Sequence, residues 1–346
     1  ASPDGKLHCL LKITPETVAY EVNYKTQLLV ENSLLGFSID HGEFGSNLNT
    51  GKVRRKSSDE TYELVVGKVS SARNHCNEMI VPLQEKEAPG RLFNLLVWAF
   101  NDVVAFRYEF PEQEGWNSYV MYDEKTQFRL NGNPMALLMY LPGYINTHEG
   151  VYTHTEYDKI AKKRLIEMPV TLEFDNGIYM SITEAAVRNY AGMYLVKEKN
   201  GFAGKLSPRL GQEKIKVEIN EFPHRTPWRV LSVADRVGGL LETNILTSLN
   251  EPCKIEDTSW IKPCRTTFTW WNGNVVPDST FSPGNNFETN KYYIDFAARN
   301  GLDAHGIYGY AETPWYYDDN FNFGWAGPNA DITRPIPCLN MPRIVE

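Results

Sequence analysis

Short β-type segments separated by turns follow one another through most of the chain, and this repetition constrains the fold more than any other feature. Between Leu7 and Pro111 we predict strands at Leu7 to Ile13, Val18 to Tyr24, Gln27 to Ile39, Tyr62 to Val69, Met79 to Leu83, Arg91 to Phe100 and Val103 to Phe110. Asn101-Asp102 is a hairpin turn signal. Because no helical segment intervenes, these strands are expected to form antiparallel sheets packed face to face.

The strand pattern continues from Ser118 to about Val230, and a polar segment at 148–163 is predicted to be a long loop within it. The segment 169–186 has the pattern of a hairpin around Asp175-Asn176-Gly177. This hairpin would place Glu184 near the end of its second strand.

After Pro263 the pattern changes to strand, helix, strand: Thr266 to Trp271, Asn286 to Asn300 and Leu302 to Tyr308. A complete (β/α)8 barrel needs roughly 250 residues, far more than remain after Trp270. The predicted fold class is therefore mostly β. A large antiparallel β-sandwich domain over residues 1–243 is followed by a linker and an incomplete (β/α)8 barrel beginning over 244–346, which we expect to be truncated.

The junction between the two patterns begins with a β run at Thr226 to Val233 and a helical segment at Leu240 to Leu249. The blocks Thr226-Pro227-Trp228-Arg229, Asn250-Glu251-Pro252 and 257–263 resemble the junction between sandwich and catalytic barrel in glycoside hydrolase family 97. The resemblance extends over essentially the whole chain, from Ser2-Pro3-Asp4-Gly5-Lys6 onward. It implies hydrolysis of α-linked hexosides, with either an α-glucosidase or an α-galactosidase activity and either an inverting or a retaining mechanism.

Glu184 is the first candidate site residue. On the residues alone it reads as a surface or helix-capping glutamate, but the block from Ser181 to Met193 resembles the family segment whose glutamate binds calcium. Calcium takes six to eight oxygen ligands, so one carboxylate cannot complete the site. The resemblance implies that the remaining ligands, the catalytic acid and the base or nucleophile lie downstream of Glu346.

Trp271, Glu312 and Trp315 are candidates for substrate binding. Trp271 ends one predicted barrel strand and the other two follow the next, and barrel active sites form at the carboxyl ends of strands. Tryptophan faces would stack on pyranose rings. Alternatively, Trp271 and Trp315 could be packing residues, and Glu312 could merely hold a loop in place. Because Trp270 and Trp271 are adjacent on a predicted strand, their rings should point to opposite faces. The family's Asp-Glu-Gly-Trp block is replaced by Ala311-Glu312-Thr313-Pro314-Trp315, which leaves the substrate preference open.

Charge and cysteine content exclude several classes of protein. A net charge of -8 argues against a nucleic-acid partner, and the basic clusters at 52–56 and 162–164 are predicted to be solvated loops. Five cysteines without CxxC spacing indicate neither a zinc site nor a redox pair. Cys253 and Cys264 could form a disulfide, but free buried thiols are the expectation.

No segment is long enough for a membrane span, and no charged-then-apolar signal segment opens the chain. The start at Ala1-Ser2-Pro3 resembles a trimmed mature form, so an export signal that has been removed remains an alternative. The resemblance implies a periplasmic or extracellular enzyme that acts on an oligosaccharide or glycoside substrate. The chain is expected to be a truncation or one piece of a cleaved enzyme, with the remaining barrel as a second polypeptide.

Two alternatives remain open. One is a non-catalytic carbohydrate-binding or scaffold module; the other is a barrel fragment held by a partner chain, with apolar surface exposed around Ile294 and Ile307.

Overall fold

The structure is a computed structural model that describes residues 1–40, 42–277, 280–309, 314–320 and 326–346. Its contacts divide the chain into two compact units, Ala1–Glu256 and Asp257–Glu346. Among the described residues, no helix combines the length and the apolar character that a membrane crossing requires.

The first part of unit 1 consists of strands joined by turns. They are β1 (Leu7–Ile13), β2 (Val18–Tyr24), β3 (Gln27–Leu35), β4 (Phe37–Ile39), β5 (Gly42–Phe44), β6 (Leu48–Thr50), β7 (Arg54–Glu63), β8 (Ser71–Glu85), β9 (Leu92–Ala99) and β10 (Val103–Phe110).

The same unit continues with shorter strands. They are β11 (Tyr119–Glu124), β12 (Gln127–Arg129), β13 (Met135–Leu138), β14 (Tyr140–Leu141), β15 (Thr153–Glu156), β16 (Leu165–Ile166), β17 (Val170–Glu173), β18 (Tyr179–Ala185), β19 (Met193–Glu198), β20 (Gly201–Leu206), β21 (Val217–Ile219), β22 (His224–Arg225) and β23 (Trp228–Ala234). A 3₁₀ turn lies at Tyr157–Lys159, and two short helices, α1 (Gly239–Glu242) and α2 (Ile245–Ser248), end the unit.

The strands of unit 1 form one large antiparallel sheet and three smaller ones. The large sheet has the order β15-β13-β17-β18-β23-β10-β9-β8-β6, with β7 also paired to β8 and β22 to β10. The smaller sheets have the orders β1-β2-β3, β21-β11-β4-β5 and β12-β20-β19-β16-β14. The predicted fold class, mostly β with a large antiparallel sandwich, is confirmed.

Side chains of the large sheet and of the smaller sheets meet in one apolar core. The ring of Tyr20 on β2 lies 4.8 Å from that of Phe106 on β10. Phe37 on β4 has ring centroid distances of 5.0 Å to Tyr108, 5.2 Å to Phe110 and 5.3 Å to Phe93. Because each contact joins strands of different sheets, these rings hold the two layers of the sandwich together. Aromatic pairs of this kind contribute about 0.5–1.5 kcal/mol each beyond the area they bury.

Strand β23 lies in the middle of the large sheet and is buried on both faces. Leu231 and Val233 belong to the core between the layers, while Trp228 and Val230 belong to a second apolar cluster on the opposite face of the sheet. That cluster includes Ile245 of α2. A strand covered on both sides needs apolar residues at successive positions, which explains why this segment shows no polar alternation.

Unit 2 contains a strand, a helix and a parallel strand. Strand β24 (Thr266–Phe268) pairs in parallel with β25 (Ala304–Gly306), and α3 (Phe287–Arg299) connects them. The side chain of Asn286 caps α3 by accepting a hydrogen bond from the Thr289 backbone N–H. A strand, helix and parallel strand form the repeating element of βα barrels; the predicted barrel beginning itself stays a prediction.

The remaining elements of unit 2 are short. They are a 3₁₀ turn at Thr269–Asn272, the antiparallel pair β26 (Tyr316–Tyr317) and β27 (Asp331–Pro335), a 3₁₀ turn at Pro337–Leu339 and α4 (Met341–Val345). The alternative of a barrel fragment held by a partner chain predicts exposed apolar surface around Ile294 and Ile307. Both residues are half-buried.

Several predicted strands differ from the structure for identifiable reasons. The segment predicted as one strand from Gln27 to Ile39 is broken at Gly36, where a Cβ atom would lie 2.4 Å from the carbonyl oxygen of Phe44. Only glycine allows that approach. The segment 148–163, predicted to be a loop, contains β15 and the buried Tyr157. The sequence did not reveal β15, because a short edge strand pairs with β13 through its backbone and needs no apolar pattern.

The strand predicted at Tyr62 to Val69 is wrong in position. The strand is β7, Arg54–Glu63, and its partner β8 follows a turn. The apolar residues that suggested a strand, Val65 and Val66, are 41% and 48% exposed. The basic cluster at 52–56 was predicted to be a solvated loop; it is exposed, but Arg54, Arg55 and Lys56 belong to β7.

The elements around the junction are shorter than predicted. The predicted helix Leu240 to Leu249 is two helices of four residues each. The predicted strand Thr266 to Trp271 ends at Phe268, so Trp270 and Trp271 lie on a 3₁₀ turn and the argument from strand alternation does not apply to them. The helix predicted at Asn286 to Asn300 is α3, on which Tyr293 and Ala297 are buried and Phe296 is exposed.

The cysteines are free thiols, and their burial differs from the prediction at the junction. Cys253 and Cys264 are both exposed, whereas they were expected to be buried. Cys76 is buried.

The aromatic core around Phe37 leads to a test of the sandwich. We expect Phe37→Ala to lower the free energy of unfolding by about 3–5 kcal/mol, because it removes ring contacts to four neighbours and leaves a cavity between the layers. Denaturant unfolding of the variant and of the exposed control Leu10→Ala measures this. The control should change stability by less than about 0.5 kcal/mol; equal effects would contradict the proposed role of Phe37.

Candidate functional site

Glu184 faces Arg229 directly across the central strands β18 and β23. Arg229 is only 1% exposed, and its Nη1 donates a 2.5 Å hydrogen bond to Oε2 of Glu184. The backbone N–H of Met193 also donates to both carboxylate oxygens of Glu184, at 3.1 and 3.3 Å. Glu184 is therefore held near the end of β18, the second strand of the predicted hairpin.

The same guanidinium makes a second, two-bond ion pair with Glu124. Nε of Arg229 donates to Oε1 of Glu124 at 2.7 Å and Nη2 donates to Oε2 at 2.6 Å. Thr126 and Tyr190 donate their hydroxyls to the same carboxylate. Glu124 is 2% exposed, so this pair is almost fully removed from water.

The two carboxylates respond differently to burial. Burial opposes the charged form of Glu124, but the charge and hydrogen bonds of Arg229 outweigh it and lower the pKa of Glu124. Burial is the larger influence on Glu184 and raises its pKa, with Arg229 offsetting only part of the effect. With both carboxylates ionised, the cluster of Arg229, Glu124 and Glu184 carries a net charge of about -1, counted from the formal charges of the three groups.

A calcium ion is the cofactor that the family resemblance implies, so the fit of Glu184 to such an ion can be examined. A carboxylate has about four acceptor positions, and the bonds to Arg229 and Met193 leave Glu184 some of this capacity. Within the part of the chain that the structure describes, no group of three or more His, Cys, Asp or Glu side chains could hold a metal ion. Glu184 thus fits the role of one ligand, and the residues that the structure describes do not supply a whole site.

His224 and two tyrosines lie beside the ion cluster. The hydroxyl of Tyr119 is 2.8 Å from Nδ1 of His224, and the ring of Tyr190 stacks on the imidazole with a centroid distance of 6.0 Å. Burial lowers the pKa of His224 to about 4. The imidazole is therefore neutral at physiological pH.

A groove of about 670 Å³ opens next to this cluster within unit 1. Its wall includes Tyr119, Tyr190, Gly192, Lys216 and Asn220. The volume lies in the range of small-molecule sites. The buried ion cluster thus supports one wall of a polar groove.

Arg229, Glu124, Tyr190 and His224 were not identified as site residues from the sequence. Arg229 did carry a signal, since it is the one charged residue in the strand Trp228–Ala234, whose other residues except Ser232 are apolar. A charge in such a strand requires a buried partner. Glu124 could not be chosen as that partner, because more than a hundred residues separate the two along the chain.

The sugar-binding candidates of unit 2 have different environments. Trp271 lies on the turn directly after β24, is 75% exposed and packs edge to face against Trp270 at 5.4 Å. Trp315 is half-buried, its ring lies 5.5 Å from that of Tyr316, and a Cβ at Gly309 would come within 3.0 Å of its Nε1. Glu312 lies outside the described residues. The role of all three in substrate binding stays a prediction.

The imidazole of His305 on β25 contacts side chains of both β24 and α3. Its Nδ1 is 2.7 Å from Oγ1 of Thr267 and its Nε2 is 2.8 Å from Oδ1 of Asn290, which is buried. Burial lowers the pKa of His305. These contacts tie β25 to β24 and α3.

Comparison with protein families covers nearly the whole chain. Residues 1–252 match the model described as glycosyl-hydrolase 97 N-terminal, and residues 270–346 match the model described as glycoside hydrolase 97.

Two curated relatives carry α-galactosidase names. A retaining alpha-galactosidase of Bacteroides thetaiotaomicron is 26% identical over 332 residues, covering 88% of this chain and 48% of the relative. A probable retaining alpha-galactosidase of Streptomyces bingchenggensis is 25% identical, covering 92% of this chain and 46% of the relative. The chain therefore spans about half the length of the curated relatives it matches.

Among solved structures, a glycoside hydrolase family 97 enzyme from Pseudoalteromonas sp. strain K8 in complex with acarbose is similar. It is 27% identical with a TM-score of 0.85, and the match covers 99% of this chain and 51% of that enzyme.

The buried ion cluster predicts a large cost for removing its cation. We expect Arg229→Met to lower the free energy of unfolding by about 3–5 kcal/mol, because Glu124 would remain buried without a counter-charge. The double variant with Glu124→Leu should recover part of this loss, since Glu124, the more deeply buried of the two carboxylates, no longer lacks a counter-charge. Denaturant unfolding of both variants is the measurement; a double variant no more stable than Arg229→Met would contradict the explanation.

His224 predicts a specific pH dependence of stability. The folded-state pKa of His224 lies below the unfolded value of about 6.5, so the unfolded chain binds the proton first as the pH falls. The contribution of His224 is thus present above about pH 6.5 and is lost as the pH falls toward 4. Thermal unfolding from pH 8 to 4 should show a shallower decline for His224→Gln than for the wild type; parallel curves would contradict this.

Proposed function

Since this chain belongs to glycoside hydrolase family 97, we propose that the protein that carries it hydrolyses α-linked hexosides, with α-galactosides as the first substrate class. The observation that carries the proposal is the match of both family models, over the sandwich and over the βαβ part of the chain. The α-galactosidase names of two relatives favour galactosides over glucosides. The activity belongs to the whole enzyme, and the catalytic acid and the nucleophile are expected downstream of Glu346.

The names of the same relatives, which describe retaining enzymes, support a retaining mechanism. In a retaining enzyme one carboxylate attacks the sugar and a second protonates the leaving oxygen. We propose this mechanism and assign neither role to Glu184, because its carboxylate is bound to Arg229 and to a backbone N–H.

We propose that Glu184 contributes one carboxylate to a calcium site. The support is the net negative charge of the cluster, the remaining acceptor capacity of Glu184 and its fixed position beside Arg229. When bound, the ion supplies a positive charge that stabilises negative charge near the reacting groups. The work of this chain is to hold the carboxylate: Arg229 fixes Oε2, and Met193 N–H restricts rotation of the side chain.

For unit 2 we propose that Trp271 offers its ring to a sugar. The support is its exposure and its place after the carboxyl end of β24. Trp315 is proposed as a more distant contact, since its ring is already packed on Tyr316. Glu312 remains a sequence-based proposal.

An activity assay tests the proposal. The whole enzyme, its intact mass verified to exceed the 39.5 kDa of these residues, is assayed on aryl α-galactoside and aryl α-glucoside with calcium or with a chelator. We expect turnover of the galactoside, retention of the anomeric configuration by NMR, and a loss of activity of tenfold or more on chelation, the equivalent of about 1.4 kcal/mol.

The matched variants are Glu184→Gln and Glu173→Gln, which change one carboxylate each on the two strands of the same hairpin. Glu184→Gln should weaken calcium binding measured by calorimetry, whereas Glu173→Gln at an exposed position should leave it unchanged. Equal calcium binding by both variants would refute the role of Glu184. Saccharide binding without any turnover would instead identify a carbohydrate-binding module.

A further inference from the structure

A cavity of about 570 Å³ in unit 1 is lined by five cationic side chains. The cations are Arg54, Arg55 and Lys56 of β7, Arg107 of β10 and Arg225 of β22. The cavity lies against the second apolar cluster of the large sheet, since its wall includes Leu96 and Trp98. This concentration of positive charge contrasts with the net charge of -8 of the chain.

Two carboxylates in the wall neutralise only two of the cations. Lys56 Nζ is 3.2 Å from Oε1 of Glu78, and Nε of Arg225 donates to Oε2 of Glu109 at 2.7 Å. Within the described ranges, Arg54, Arg55 and Arg107 form no ion pair. The wall therefore carries an excess of about three positive charges, counted from the formal charges of its side chains.

Arg107 is the most constrained of these cations. Its guanidinium lies 4.2 Å from the ring centroid of Trp228, which is itself fully buried. Its Nε is buried without a hydrogen-bond acceptor among the residues that the structure describes. Burial, together with the charge of Arg225, lowers the pKa of Arg107 to about 10. A partly buried cation without an ion-pair partner is costly, and an anion bound in the cavity would offset that cost.

We propose that this cavity binds a small saccharide that carries a carboxylate or sulfate group. A guanidinium presents parallel N–H donors that match the oxygens of either group. The volume exceeds that of an inorganic anion, and Ile80, Leu96 and Trp98 provide an apolar wall for a sugar ring. The site is independent of Glu184 and of the proposed catalysis.

The test is calorimetric titration of the full chain at low ionic strength with D-galacturonate, with inorganic sulfate and with neutral D-galactose. We expect galacturonate to bind, sulfate to compete with it, and galactose not to bind at the same concentrations. Arg54→Gln with Arg55→Gln should weaken galacturonate binding by about tenfold or more. Both arginines are exposed, so this variant should fold.

Two further variants separate binding from folding. Arg107→Gln should also lose binding, while its melting temperature should equal or exceed that of the wild type, because an unpaired cation is removed. Arg73→Gln is the control: Arg73 lies on β8, is exposed and pairs with Asp59 outside the cavity. It should bind galacturonate as the wild type does.

Three results would overturn the proposal. They are binding of sulfate without binding of galacturonate, equal binding of galacturonate and galactose, and galacturonate binding that is unchanged in the Arg54→Gln, Arg55→Gln variant.

Discussion

The buried guanidinium of Arg229 is the interaction on which the first unit depends. It lies on the central strand β23, where it joins Glu124 of one sheet to Glu184 of another. Burying a cation and two carboxylates is costly unless every charge is paired and hydrogen-bonded. Thr126, Tyr190 and the Met193 N–H provide the additional bonds. These bonds offset the cost of burying the three charges. The same bonds determine where the Glu184 carboxylate lies.

This arrangement couples the architecture of the sandwich to the proposed chemistry of the enzyme. A ligand on a flexible loop would have to be ordered whenever an ion binds. Glu184 instead lies on a strand that is paired on both sides, and its partner lies in the fully covered strand β23. A rigid carboxylate is the kind of group that a domain can offer to an active site completed elsewhere.

Much of the fold could be predicted from the sequence, because strands with one buried face leave a pattern of alternating residues. The hairpin β17–β18 follows from this pattern. Strand β23 follows instead from its mostly apolar run, and α3 from the helical segment predicted at Asn286 to Asn300. The edge strands β7 and β15 could not be predicted, since their residues are largely polar and only backbone pairing defines them. The site is harder to predict than the fold. Glu184 was identified from a motif, whereas Glu124, His224 and the cavity around Arg107 are recognised only from contacts between segments that are distant in the sequence.

The outermost strands of the large sheet have a consequence for the behaviour of the protein in solution. β15 has only four residues, and β7 presents charged side chains along most of its length. Exposed edges of a sheet can template the addition of strands from other molecules, and short or charged edges oppose this. The features that made these strands unrecognisable in the sequence thus protect a very wide sheet against edge-to-edge aggregation.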